Sequence, residues 1–334
     1  MKKNLIIFVI ILIVAGTFVV SQIWQRESSS EKPLTKITMA VPKSLPYPKP
    51  EVIARDKGFF KEEGLDVNLV YFNSGKEALN ALLSNDAQLA NSGETPLIYL
   101  WFTDQDVQVV TTMAEGYWLK TIGRKDRGIE KVTDLKGKKV ASPKGTTGEF
   151  GLSELLRSNG LSMKDIEFVN LQTLSLPNAL ANGDIDAYAA WEMHIYNGQK
   201  VLGDNAVVFT VDKNTYREYQ NVYGKKDWLS QNPETMKKFL RALIKAEKYI
   251  SDNPDEAIEI AAKETGFSKD ALSTVRDNYK IGIKLDINAW INQAEREGQW
   301  INEQKLEAER KPLPDYRKQI NDSFLKVVDP LRVQ

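Results

Sequence analysis

One stretch of this chain is written twice. Gly64-Leu65-Asp66-Val67 opens a β-rich stretch, Val67 to Phe72, that passes a small-residue turn at Ser74-Gly75 and enters Ala81-Leu82-Leu83-Ser84-Asn85-Asp86-Ala87. Further on, Gly160-Leu161 opens a second such segment. It runs through Ile166-Glu167-Phe168-Val169 to Ala179-Leu180-Ala181-Asn182-Gly183-Asp184-Ile185-Asp186-Ala187. Two matched units predict two lobes on one plan, and paired α/β lobes commonly hold a ligand between them. At 334 residues the chain has room for two such domains, each with a core of its own.

Composition excludes several classes of function. Lys and Arg number 45 against 45 acids. The first 26 residues hold Lys2, Lys3 and Arg26 and no acid, so the remainder carries 42 basic residues against 45 acidic ones. The positive residues are scattered rather than striped, which leaves no field to hold nucleic acid. There is no cysteine, hence no disulfide, thiolate metal site, Cys nucleophile or lipidated N-terminal Cys. The single histidine, His194, cannot make a His-rich zinc site, and no metal or cofactor is expected. No Ser-His-Asp arrangement assembles around it, and no nucleophile elbow appears. The pattern reads as a chain that holds a molecule rather than converts one.

Lys2-Lys3 precede an unbroken apolar run from Leu5 to Val20, followed by Ser21-Gln22-Ile23-Trp24 and a polar tether. Residues 1–26 read as a secretory signal or a membrane anchor, and 27–35 as the tether. Val19-Val20-Ser21 offers a small-residue cleavage site. The length of the run, with Trp24 and Arg26 at an interfacial position, favours the anchor. In both readings the rest of the chain is extracytoplasmic, either tethered to the membrane or secreted.

Beyond the tether, Lys36–Val41 reads as a strand that ends in a loop stiffened by Pro42, Pro46, Pro48 and Pro50. Helix, strand, helix, strand, helix and strand follow, to Met113. The alternation predicts a mostly parallel, doubly wound sheet. A second block starts near Thr121, and Val207–Val211 reads as its last strand. From Asp227 onward the pattern is helical almost to the end. The fold class is α/β: two doubly wound lobes with a hinge and an interlobe cleft. Lobe 1 comprises 36–121 and 212–334, and lobe 2 comprises 122–211.

In such sheets ligands lie beyond the carboxyl ends of the strands, against helix N-termini. That places a site among the loops Pro42–Pro48, Ser92–Thr95, Thr112–Trp118, Ser142–Gly148 and Trp191–His194. The loop from Ser142 through Gly145, Thr146 and Thr147 to Gly148 is small, hydroxyl-rich and glycine-flanked, and it delivers free N–H groups at a helix start. This suits a sulfonate or carboxylate. The plainer reading is a capping box between Thr146 and Glu149. It is not a P-loop, because no Gly-Lys-Ser/Thr follows at the required distance. Ser92 stands in the neighbouring loop. Glu94, Glu115 and Glu192 stand in predicted pocket loops, odd beside an anion site unless the ligand also carries a positive or hydrogen-donating end. Trp118, Trp191, Tyr47 and Tyr188 offer aromatic walls, with ordinary packing as the alternative for each.

At these residues the chain resembles the nitrate, sulfonate, taurine and thiamine-precursor group of ABC-transporter substrate-binding proteins. The resemblance rests on an ordered set of motifs. They are Gly58-Phe59-Phe60 with Glu63-Gly64-Leu65-Asp66-Val67, Gly93 with Pro96, Asp134-Leu135-Lys136-Gly137-Lys138, Gly145-Thr146-Thr147, Ala179-Leu180 through Ala187, Trp191-Glu192, and Asn253-Pro254-Asp255-Glu256-Ala257. It spans Lys36 to Val328. The resemblance implies a type II periplasmic-binding fold whose lobes are joined by two crossing segments, expected near Thr121–Lys125 and Thr210–Thr215. It implies a small-molecule ligand, a membrane permease with its ATPase as partners, and action as a monomer. An anion-binding Thr loop facing Glu192 or Glu94 suits a zwitterion such as taurine. An aromatic, acid-lined cleft equally suits a thiamine pyrimidine precursor, and nitrate stays open. The rivals from other classes are a small-molecule enzyme on the same fold, using His194 or Lys144, and a sensor domain.

Overall fold

A computed structural model describes residues 33–334 except Ser44, Pro46 and Asp104. The expected signal or anchor, and the tether up to residue 32, lie outside the described residues. Eleven strands form two sheets. In chain order these are β1 (Thr35–Pro42), β2 (Leu65–Phe72), β3 (Leu89–Ser92), β4 (Val107–Gly116), β5 (Leu119–Arg124) and β6 (Lys139–Ser142). They continue with β7 (Glu167–Asn170), β8 (Ala187–Trp191), β9 (Ala206–Thr210), β10 (Glu218–Lys225) and β11 (Tyr279–Lys284).

The first sheet runs β11-β4-β10-β3-β1-β2 and the second β7-β6-β8-β5-β9. Without the edge strand β11, the two orders are the same arrangement. β1 lies between β2 and β3 as β6 lies between β7 and β8. β10 separates β3 from β4 as β5 separates β8 from β9. The written repeat thus folds as a structural repeat: β2, helix Gly75–Leu83, β3 and helix Glu94–Trp101 match β7, helix Leu176–Asn182, β8 and helix Glu192–Leu202. The strand that ends each unit, β5 or β10, is given to the other unit's sheet.

That exchange corrects the expectation of mostly parallel sheets. β1 pairs parallel with β3, and β6 with both β7 and β8. β10, however, runs antiparallel to β3 and β4, and β5 antiparallel to β8 and β9. A strand arriving from the other lobe has no crossover helix to reverse it, so it enters against the direction of its neighbours. The exchange also places the passages between the sheets. The first is Tyr117–Trp118, between β4 and β5, so the expected crossing at Thr121–Lys125 falls inside β5. The second spans Val211–Arg217, between β9 and β10. The reading of helix alone after Asp227 misses β11, and β10 before it went unread.

The core is not split evenly. One apolar cluster spans the first sheet and continues through Trp118, Leu119, Phe150, Trp191 and Tyr216 into the second. Apart from a small cluster of Ile258, Ala261 and Leu272 in the helices Pro254–Thr265 and Lys269–Thr274, only the far face of the second sheet has a cluster of its own, including Ile129, Leu135, Val140, Leu152 and Leu156. The expectation of one private core per lobe therefore holds for that face alone. Where the lobes meet, Phe150 packs edge-on against Tyr216 and Trp300, with centroids 5.0 and 5.1 Å apart.

Candidate functional site between the lobes

The chain enters the cleft at the carboxyl ends of its strands. β3 hands over through Gly93 to the helix Glu94–Trp101, and β2 through Ser74 to the helix Gly75–Leu83. β6 hands over to the helix Thr147–Ser158, with Thr146 at the N-cap. β8 leads directly to the helix Glu192–Leu202, with Trp191 at the N-cap. Ser74 caps its helix by accepting the Glu77 N–H, whereas no side chain caps those starting at Glu94, Thr147 or Glu192. Several helix N-termini, each carrying partial positive charge, therefore converge on one small volume.

That volume is a cavity of about 10 Å³, lined by Pro42, Leu45, Gly75, Lys76, Ser92, Gly93, Pro96, Thr146, Thr147, Trp191, Glu218 and Gln220. It has room for roughly one water molecule. Glu218 lines it and gathers several donors. Trp118 Nε1–H donates to Glu218 Oε2 at 2.6 Å, Trp191 Nε1–H at 3.2 Å, and Gln220 Nε2–H donates to Oε1 at 2.7 Å. The Trp191 N–H also reaches Thr147 Oγ1 at 3.1 Å. Burial pushes the Glu218 carboxyl well above the usual carboxylate range, with the neighbouring Glu94 adding to the effect.

Glu94 stands one step behind, 1% exposed. It accepts from Tyr216 OH at 2.8 Å and from the Tyr219 N–H at 3.0 Å. Burial raises its carboxyl to about 7, against the lowering effect of those donors. Glu297, from the helix Ile287–Glu303, lies against it fully buried; it accepts from Gln293 Nε2 at 2.7 Å and is also pushed well up by burial.

The structure brings together most of the residues expected from sequence. Ser92, Thr146, Thr147 and Trp191 line the cavity, and Trp118 donates into it. Tyr47 stacks on the Trp118 ring, with centroids 5.7 Å apart and planes 10° apart. Ser142 lies beneath, its Oγ donating to the Ala189 carbonyl at 3.1 Å. Gly145 adopts φ +73°, and its N–H donates to Glu149 Oε2 at 2.6 Å. That bond replaces the capping box: Thr146 Oγ1 donates to the Pro143 carbonyl instead of accepting from the helix.

Two of the expected acids stand elsewhere. Glu115 pairs with Arg217 at 3.1 Å and Lys284 at 3.3 Å. Glu192 pairs with Lys120 at 2.6 Å, accepts from Asn278 Nδ2 at 2.8 Å, and faces a separate pocket of about 290 Å³. Both lie off the cavity and have their charge matched. His194 is buried, its imidazole pushed down to about 4 and its Nε2 without a hydrogen-bond partner among the described residues. Tyr188 is likewise buried, its hydroxyl donating to the His194 carbonyl.

Sequence reasoning missed Glu218, Gln220, Glu297 and Lys76. Glu218-Tyr219-Gln220-Asn221-Val222-Tyr223 does alternate with period two, which is the signal for β10. It was obscured because the inward face carries Glu and Gln where a core strand carries aliphatics. Glu297 comes from a helix far along the chain, and nothing local marks it.

Residues 46–257 match the family described as NMT1/THI5 like. A putative aliphatic sulfonates-binding protein of Bacillus subtilis (strain 168) is 28% identical over 297 residues, covering 83% of each chain. The taurine-binding periplasmic protein of Escherichia coli (strain K12) is 30% identical over 209 residues, 61% of this chain and 64% of its own. A 4-amino-5-hydroxymethyl-2-methylpyrimidine phosphate synthase of Aspergillus parasiticus is 27% identical over 230 residues, 64% of this chain and 66% of its own. Among solved structures, the alkanesulfonate-binding protein of Xanthomonas axonopodis pv. citri bound to MOPS aligns with a TM-score of 0.75 at 16% identity. The alignment covers 87% of this chain and all of that one, and it establishes the shared fold.

Proposed function

The chain belongs to the NMT1/THI5-like family, and from that premise we propose that it is the extracytoplasmic solute-binding component of an ABC importer. It captures a small anionic or zwitterionic solute, sulfonate- or taurine-like, between its lobes and delivers it to a membrane permease with its ATPase. The observation that carries this reading is the cavity itself. It takes Lys76, Ser92 and Gly93 from one lobe, Thr146, Thr147 and Trp191 from the other, and Glu218 from the returning strand. Helix N-termini and hydroxyls suit an anionic head, while Glu218 suits a positive or donating end. The acid facing the ligand is thus Glu218, in place of Glu192.

Both lobes hold each other across the cleft. Lys76 Nζ donates to the Lys144 carbonyl at 2.7 Å, and Arg296 bridges to Glu154 at 2.6 Å. Ligand free energy drives closure because only the closed form touches the solute from both sides. Tyr117–Trp118 and Val211–Arg217 are the segments that turn. The protein acts as a monomer, held at the outer membrane face by its N-terminal segment, and leaves its solute chemically unchanged.

A second reading has support of its own. Trp118 and Tyr47 form a flat stack beside Glu218, a setting suited to an aminopyrimidine, and one relative is named as a pyrimidine phosphate synthase. Calorimetric titration of the full-length protein with taurine, alkanesulfonates, nitrate and 4-amino-5-hydroxymethyl-2-methylpyrimidine separates the two. Binding of a sulfonate supports the first reading, and binding of the pyrimidine alone selects the second. Failure of all of them, or recovery of a chemically altered solute, overturns the solute-carrier reading.

A further inference from the structure

We propose that the solute carries a protonated nitrogen, that Glu218 receives it, and that its arrival expels a proton held among Glu94, Glu218 and Glu297. The inference rests on the solute-binding reading above and deepens it by naming the charge on the ligand and the ion it displaces.

Three buried carboxyl groups share one neighbourhood, and every hydrogen-bond partner they have among the described residues is neutral. These partners are Trp118, Trp191 and Gln220 for Glu218, Tyr216 and the Tyr219 N–H for Glu94, and Gln293 for Glu297. The contrast with Glu115 and Glu192 is direct, since each of those has a Lys or Arg against it. Buried like charges that lie this close cannot all ionise without a counter-charge, so the group holds protons until a cation arrives. The cavity also contains polar atoms with nothing to bond. Ser92 Oγ and the Gln220 carbonyl oxygen, both at least 98% buried, line it without a partner among the described residues. A hydroxyl and an amide oxygen placed beside a carboxylate are acceptors suited to the N–H bonds of an ammonium group.

The exchange balances. The solute enters as R–NH₃⁺, one carboxyl O–H gives its proton to bulk water, and the resulting carboxylate pairs with the ammonium. The carboxylate–ammonium pair is neutral, as the carboxyl was; a sulfonate on the same solute adds one negative charge, which falls to the helix N-termini. The other titratable groups facing it are Tyr47 from the proline-rich loop, Tyr99 from the helix Glu94–Trp101, Tyr216 from the second crossing, Tyr219 and Tyr223 from β10, Tyr316 near the C-terminus and Lys76 from the helix Gly75–Leu83. Burial raises all of these tyrosines, so they stay neutral between pH 5 and 8. Lys76 lies on the side of Glu149 and Lys144, its amine lowered by burial. The carboxyl groups are therefore the ones that respond to pH.

The test uses the full-length chain with taurine and ethanesulfonate, which differ by the amine. Calorimetry in two buffers of different ionisation enthalpy counts protons. Expected are a preference for taurine, release of up to one proton per taurine and none per ethanesulfonate, and taurine affinity rising by up to about tenfold per pH unit between pH 5 and 7. Glu218→Gln is expected to lower the preference for taurine at least tenfold and to abolish the proton release. Should that variant fail to fold, the proton count on the unaltered protein decides alone. Binding of both solutes with no preference and no proton release overturns this inference and leaves the carrier reading standing. Binding of neither overturns the carrier reading and this inference with it.

Discussion

At Glu94 two opposing effects meet in one side chain. It begins a helix, where the dipole and the Tyr216 and Tyr219 donors favour the anion. Burial still wins and lifts the carboxyl from 4.5 to about 7. A group raised on folding contributes stability that is complete below its unfolded value and is lost as pH rises through its folded value. Glu218 and Glu297 add to this loss, while His194, pushed down to about 4, opposes it. The melting temperature of the protein relative to its Glu94→Gln variant should therefore fall by several degrees between pH 5 and 8, and a difference that does not change with pH would remove Glu94 as a source of the slope. Thr146 and Thr147 make a second prediction at this scale. Replacing both with Val is expected to cost sulfonate affinity about 1–3 kcal/mol, the range for hydrogen bonds to a charged group. Titration showing no loss would return the two threonines to a packing role.

At the scale of elements, the turn from β4 to β5 is tightly built. A Cβ on Gly116 would lie 2.2 Å from the Trp118 ring and 2.5 Å from the Asn278 carbonyl. Only a glycine lets the strand end, the indole and the first-lobe backbone meet there. Gly116→Ala is expected to destabilise the fold by about 1–3 kcal/mol, as over-packing does. It should also weaken ligand binding by displacing the Trp118 N–H. Urea denaturation alongside titration checks both, and a variant of native stability and affinity would refute the account. The helices and the strands β1 to β4, β6, β7 and β9 follow local rules and were legible from alternation and capping, whereas β5 was read as a crossing segment. β10 and β11 were not, because each is defined by what it inserts between or beside, and β10 turns Glu218 and Gln220 inward.

At the scale of the molecule, closure rests on few polar links. Arg296 is 43% exposed and its partner Glu154 only 7%, while Lys76 reaches a backbone carbonyl. Such pairs contribute about 1 kcal/mol or less each. Removing both, as Lys76→Ala with Arg296→Ala, should shift the balance toward an open form by up to roughly thirtyfold. Small-angle scattering should then show a larger radius of gyration that returns to the native value on adding saturating ligand. Identical scattering from the two proteins would mean that the remaining contacts, the Asn278–Glu192 and Trp191–Glu218 hydrogen bonds with the apolar packing of Phe150, Tyr216 and Trp300, suffice to hold the lobes.

The sequence alone determined the duplicated plan, the α/β class, the family resemblance and the loops that meet at the cavity, because each is written in local periodicity and turn chemistry. It also supplied Tyr47, Ser92, Trp118, Thr146, Thr147 and Trp191, which stand where strands end and helices begin. Only the tertiary structure decided which acids matter. Glu115 and Glu192 are matched by Arg217, Lys284 and Lys120, while Glu94, Glu218 and Glu297 come from distant segments and meet without a cation. A carboxylate's role depends on its burial and on what lies opposite it, and both are set by contacts across the whole chain.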